Sequence, residues 1–125
     1  VTDRAVFEMY FIQDGDRADT LAHQIYGDST LHWIIMYANY ITDPYYDWPL
    51  TYFDLQKFTA KKYADINDDH HYEDADGYEV DSDAAGAVTI SNSLYEERKN
   101  DAKRNIKIIK VDYVPQIIKE FKALI

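Results

Sequence analysis

Residues 19–39 read DTLAHQIYGDSTLHWIIMYAN, and this stretch decides the fold. Its spacing predicts two short helices with one tight joint between them. Asp19 is placed to cap the first helix through its carboxylate, and Leu21, Ala22 and Ile25 recur on one face. Gly27 supplies the left-handed residue in which a helix most easily ends. Ser29 is placed to cap the second helix, whose Leu31, Ile34, Ile35 and Ala38 form one apolar stripe. Trp33, Met36 and Tyr37 lie off that stripe, so the second helix is apolar nearly all round and needs cover on two sides. Either the later chain or another protein supplies the second cover. No residue in the hairpin suggests chemistry.

Before the hairpin, Phe7, Met9 and Phe11 alternate with Glu8 and Tyr10, a strand pattern stopped by Asp14 and Gly15. Val6 and Ile12 lie on the Tyr10 face, so partial cover is expected on both sides. After the hairpin, ITDPYYDWPLT (41–51) is too rich in proline and large rings for a regular element. Tyr45, Tyr46 and Trp48 either plug back onto the fold or meet a partner. Thr51 with Asp54 opens a third helix over about Tyr52–Tyr63, with Tyr52, Leu55, Phe58, Tyr63 and Ile66 as its stripe. Lys57, Lys61 and Lys62 lie on its outer side.

Residues 65–83 hold nine Asp or Glu and no Lys or Arg. Within them HHYEDADGYEV reads as a hairpin with its turn at Asp74–Gly77. A metal site on His70, His71, Asp74 and Asp76 is the sharper alternative. Calcium-loop spacing fails there, because Tyr72 and Ser82 stand where acids are needed. Residues 83–86 continue as a loop. Ser93 with Glu96 opens a helix through Arg104 that is polar on nearly every side and is expected to lie along the surface. Asn105–Val111 (NIKIIKV) is a second strand, with Ile106 and Ile108 on one face. Asp112 and Pro115 open a last helix with the stripe Val114, Ile117, Ile118, Phe121, Leu124 and Ile125.

A chain of 125 residues has room for one core. Its net charge of −10 argues against nucleic acid as a partner. Cysteine is absent, which removes disulfides, thiolate metal sites and a Cys nucleophile. No apolar run reaches the ~20 residues of a membrane span, so no membrane partner is expected. The chain opens on Val1 and not Met, which leaves room for a preceding segment. Motifs for zinc hydrolysis, phosphate cradling or a serine nucleophile are missing. His23 and His32 are expected at exposed or rim positions. Composition and motifs therefore predict a binding or structural module with no catalytic, cofactor or metal residues. Twelve tyrosines fit either a polar-rimmed core or an interface.

The order strand, helix, helix, later strand resembles the LysM fold. Asp19-Thr20-Leu21, Ala22, Tyr26-Gly27, Leu31 and Asn39 stand where that family has its conserved words, with Ala18 in place of a glycine. A second resemblance covers nearly the whole chain. The blocks MYFIQDG…ADTLAHQIYGDSTLHWIIMYAN, DPYYDW and NIKIIKVDYV, followed by an amphipathic helix, resemble the LysM-containing baseplate wedge subunits of T-even-like contractile-tailed phages. The resemblance implies an α+β fold. In it a LysM-like core (about 5–42 and 105–112) carries a helix and hairpin insertion (about 43–104) and a C-terminal helix (about 113–125), as one domain. It implies that Asn105–Val111 pairs antiparallel with the first strand.

The role so implied is structural and non-enzymatic. It is a part of the virion tail baseplate, assembled in the host cytoplasm, that bridges neighbouring wedge subunits and stabilises the ring around the hub. The partners implied are other wedge and hub proteins, in several copies around the ring. The residues expected at the partner interface are Trp33, Met36, Tyr37, Tyr45, Tyr46, Trp48, Ile118, Phe121, Leu124 and Ile125. The alternative is a LysM module that binds N-acetylglucosamine-containing cell-wall glycan, and the long insertion after Thr42 should remodel its groove.

Overall fold

The computed structural model describes residues 6–43 and 47–124. It is an α+β chain that divides into two compact units, one of residues 1–49 and 103–125, the other of residues 50–102. In the first unit β1 (Phe7–Phe11) pairs antiparallel with β5 (Asn105–Ile109), Phe7 opposite Ile109 and Phe11 opposite Asn105. Between them in sequence come α1 (Ala18–Tyr26), a 3-10 turn (Ser29–Leu31) and α2 (His32–Ala38). A second 3-10 turn (Val111–Tyr113) leads into α5 (Val114–Leu124).

The hairpin forms as its spacing predicts, but its caps are shifted. Helix α1 starts at Ala18, one residue before the expected cap Asp19. The Thr20 hydroxyl closes the first turn by accepting from the Arg17 amide. Gly27 ends α1 at φ 76° and donates to the His23 carbonyl. At the joint Asp28, not Ser29, is the cap, and its carboxylate accepts from the Thr30 amide. A carboxylate competes well for that amide, which moves the start of the second helical segment back by one residue. Helix α2 ends in a Schellman motif: Ile41 donates to the Met36 carbonyl and Tyr40 to that of Tyr37. The left-handed residue in it is Tyr40, at φ 55°.

Two apolar clusters hold the first unit together. Ile12, Leu21, Ala22, Ile35, Ile106 and Ile108 form one, with Tyr10 and Trp48 packed against it. Ile34, Ile109, Val114 and Ile117 form the other. The core side of β1 is therefore the Tyr10–Ile12 face. The opposite face is covered only in part: Phe7 is half-buried, while Met9 and Phe11 are 55% and 54% exposed. The second side of α2 is covered in part by α5, where Trp33 packs on Phe121 with ring centroids 4.7 Å apart and planes tilted by 36°.

The side-chain amide of Asn39 ties α2 to β5. Its Nδ2 donates to the carbonyls of Ile35 (2.7 Å) and Lys107 (2.9 Å), and its Oδ1 accepts from the Lys107 amide (2.8 Å). Tyr26 adds a bond from its hydroxyl to the Ile109 carbonyl at 2.6 Å. Burial pushes the pKa of that hydroxyl up to about 12.

The second unit holds α3 (Tyr52–Lys62), β2 (Asp69–Glu73), β3 (Glu79–Val80), β4 (Val88–Ser91) and α4 (Asn92–Asp101), with its sheet in the order β3-β2-β4. Thr51 caps α3 by accepting from the Asp54 amide, as its sequence predicts. The buried positions of α3 are Leu55 and Thr59, while Tyr52 and Phe58 of the expected stripe are exposed. The hairpin β2–β3 forms as read. Strand β4 was not legible, because Val88–Ser91 is too short and too mixed to stand out beside the loop before it.

Helix α4 departs furthest from expectation. It starts at Asn92 with Ser91 as its cap, not Ser93, and it buries Asn92, Glu96 and Asn100. These lie four residues apart, so a polar stripe faces inward. Each of the three has partners. Asn92 donates to the Asp65 carbonyl, and the amide of Asn100 bonds both the N–H and the carbonyl of Leu50. Glu96, 3% exposed, accepts from the Tyr63 hydroxyl at 2.7 Å and the Lys62 ammonium at 3.0 Å. Burial works against its carboxylate, but the bonds from Tyr63 and Lys62 and the charges of Lys99 and Lys62 outweigh it, so its pKa lies below the ordinary value.

Two predictions follow from these polar ties. Asn39→Ala leaves the Lys107 N–H and carbonyl unpaired and should lower unfolding free energy by about 2–3 kcal/mol in a denaturant titration. A change within experimental error would remove the clamp from the account. Glu96 has a depressed folded pKa, so its contribution is present above the ordinary value of 4.5 and is lost as pH falls through the folded value. Thermal melts between pH 6 and pH 3 should show less acid sensitivity in Glu96→Gln than in the unaltered chain.

Candidate interaction surface

Within the first unit, α2 and α5 carry six of the residues expected at an interface, and the structure brings Trp33, Ile118 and Phe121 together. Trp33 is half-buried under Phe121, and Ile118 packs against the second apolar cluster. Tyr37 stands one turn beyond Trp33 on α2 and is 53% exposed. Leu124, one turn beyond Phe121 on α5, is 78% exposed. Met36 is half-buried. The stripe of α5 is thus buried at its start, through Val114 and Ile117, and bare at its end. A bare apolar row that continues a packed seam is what a partner can cover without rearrangement.

Trp48 is placed differently. Its ring packs against the first apolar cluster, and its Nε1 donates to the Asp16 carbonyl at 3.0 Å. The neighbouring Asp16 carboxylate accepts from the Tyr10 hydroxyl at 2.7 Å and the Gln13 amide at 2.8 Å. That bond, with burial and the carboxylate charge, holds the Tyr10 pKa up at about 12. The loop after β1 is therefore closed on itself by Tyr10, Gln13 and Trp48. Tyr45, Tyr46 and Ile125 lie outside the described residues.

Sequence reading missed Tyr40. Its ring is 81% exposed and its backbone sits in the left-handed region that favours glycine. That conformation costs a non-glycine residue roughly 1–2 kcal/mol. A tyrosine kept there, with its ring in solvent, does nothing for the stability of its own unit. The available signal was its position just past Asn39, where a helix-ending glycine is the usual choice.

In the second unit, His70, His71, Glu73, Tyr95 and Arg98 form a polar group. The His70 ring stacks on Tyr95 at 3.7 Å, and His71 Nε2 bonds Glu73. Arg98 Nη1 reaches both Glu73 oxygens, at 2.8 and 2.9 Å. Arg98, then His71, hold the Glu73 carboxyl below its ordinary pKa. These contacts tie β2 to α4 and leave the carboxylate saturated. Among the described residues no three His, Asp or Glu side chains converge on a point that would hold a metal ion. No described helix is long and apolar enough to cross a membrane.

Residues 4–82 match the family model described as base plate wedge protein 53. Over 60 residues the chain is 32% identical to the baseplate wedge protein gp53 of Enterobacteria phage T4, a match that covers 48% of this chain and 31% of that protein. The chain thus aligns with about a third of the length of that curated relative. The family match takes in β1, the whole α1–α2 hairpin, α3 and the β2–β3 hairpin, well over half of the chain. The chain belongs to the base plate wedge protein 53 family.

Proposed function

We propose that this chain is a structural, non-enzymatic component of a contractile phage tail baseplate wedge. In this reading it bridges neighbouring wedge subunits and helps to stabilise the ring around the hub. It resides in the virion tail baseplate, is assembled in the host cytoplasm, and recurs in several copies through the symmetry of the ring. Its partners are other wedge proteins and hub proteins. The observation that carries the reading is the exposed apolar side chains Tyr37 on α2 and Leu124 on α5, with Phe121 partly covered between α5 and Trp33, in a chain of a wedge family. A LysM-like core carrying an inserted unit and a terminal helix is the fold description that fits this use. The inserted unit keeps the core strands far apart in sequence, and α5 offers an apolar end to a neighbour.

Glycan binding has less support. A sugar would need free polar groups on the loop after β1, and there the Asp16 carbonyl and carboxylate are already bonded to Trp48, Tyr10 and Gln13. Chitin oligomers should therefore give no saturable response.

The surface is tested by substitution. Leu124→Asp and Phe121→Asp should block co-assembly with purified wedge proteins, read by sedimentation. The isolated Leu124→Asp chain should melt within about 1 °C of the parent, as exposed sites away from special features usually change little. Tyr40→Gly relieves the left-handed residue and should raise stability by about 1 kcal/mol while weakening co-assembly. Normal co-assembly by the two aspartate variants would sink the proposed surface.

A further inference from the structure

The two-stranded sheet has two edges, and they are treated differently. The Lys110 amide donates to the Val6 carbonyl, and the Ile12 amide to the Arg104 carbonyl, both at 2.8 Å. With the register of β1 and β5, antiparallel alternation makes Val6, Glu8, Tyr10 and Ile12 the residues whose main-chain groups face β5. The main-chain groups of Phe7, Met9 and Phe11 point the other way, and so do those of Asn105, Lys107 and Ile109.

The outer edge of β5 is occupied. Asn39 bonds both main-chain groups of Lys107, and Tyr26 bonds the Ile109 carbonyl. On the outer edge of β1, Gln13 Nε2 bonds the Phe11 carbonyl at 2.9 Å. The outward N–H and carbonyl groups of Phe7 and Met9 have no partner among the described residues. Such an edge is a template for another strand, and folds commonly block it with a charge, a proline or a covering element. Here a carboxylate, that of Glu8, stands between the two open residues, and the apolar side chain of Met9 beside it is exposed.

We infer that the free edge of β1 receives an extended segment of another protein, added antiparallel and carrying a basic residue between two apolar ones. The two apolar residues bond Phe7 and Met9 and share their face, covering Met9. The middle residue lies opposite Glu8 in a non-hydrogen-bonded pair, where side chains approach most closely. Glu8 is exposed and has no ion partner among the described residues, so a Lys or Arg meets it there. A second copy of this chain fits poorly. The register that uses both open residues of each copy sets Glu8 against Glu8, between two chains of net charge −10. The site lies on a different part of the first unit from the α2–α5 row and does not depend on the wedge reading.

The test is a titration of the isotope-labelled 125-residue chain with acetyl-Thr-Val-Lys-Val-Thr-amide, followed by NMR and amide hydrogen exchange. The Phe7 and Met9 amides should shift and become protected, while those of Glu8 and Tyr10 are protected already. The same peptide with Glu at its centre should bind about fivefold more weakly, and Glu8→Lys should reverse that preference. N-methylation of both valines should abolish binding. No response of β1 at millimolar peptide overturns the inference, and so does equal binding of the two peptides by the unaltered chain. Concentration-dependent shifts of the β1 amides without peptide would overturn it in favour of a second copy.

Discussion

The first unit depends on the three hydrogen bonds made by one side chain, Asn39. A two-stranded sheet is marginal alone, and its strands here come from opposite ends of the chain. The Asn39 amide supplies a donor and an acceptor in the spacing of a neighbouring strand, so β5 is bonded on both edges although only one neighbour is a strand. The same amide bonds the Ile35 carbonyl and so fixes the last turn of α2. With helix end and strand held together, Ile34 and Ile35 can fill both clusters from adjacent positions. Apolar contact supplies most of the favourable free energy, and the amide fixes which contacts are made.

The second unit uses a similar device with a different balance. Its buried apolar residues are few, Leu55 and Ile90 among them, and the inner side of α4 is polar. Asn100 bonds both main-chain groups of Leu50, which ties the last turn of α4 to the first residue of the unit. Glu96 gathers Tyr63 and Lys62 from the end of α3. A buried carboxylate is costly to desolvate, and it is tolerable here because its oxygens are filled by a hydroxyl and an ammonium. Such an interior links the state of the unit to pH through Glu96.

In the proposed reading, the surfaces left over are those that a neighbouring protein covers. Wedge-family membership and the bare end of α5 point the same way: the chain's own core stops before its apolar residues run out. Tyr40 adds an exposed ring on a left-handed backbone at the end of α2. The closed loop after β1, with Trp48 and Tyr10 turned onto Asp16, has no such surplus.

Local chemistry by itself determined the α1–α2 hairpin with its Gly27 joint, the cap of α3 at Thr51, the β2–β3 hairpin, both strands of the first sheet and the amphipathic α5. Each is written in the spacing of neighbouring residues, where the sequence is read directly. Family resemblance added the pairing of β1 with β5. Three matters were decided only by the tertiary structure. Alternation could not say which face of β1 is inward, because Phe7, Met9 and Phe11 are as apolar as Val6 and Ile12; packing of Ile12 against Leu21 and Ile106 chose. The buried side of α4 at Asn92, Glu96 and Asn100 was not legible in a helix that reads as polar on nearly every side, because a polar residue is buried only when distant partners satisfy it, and those partners sit on Asp65, Tyr63, Lys62 and Leu50. The open edge at Phe7 and Met9 was invisible for the same reason: whether a main-chain group is paired depends on what the fold brings beside it, and composition holds no record of that.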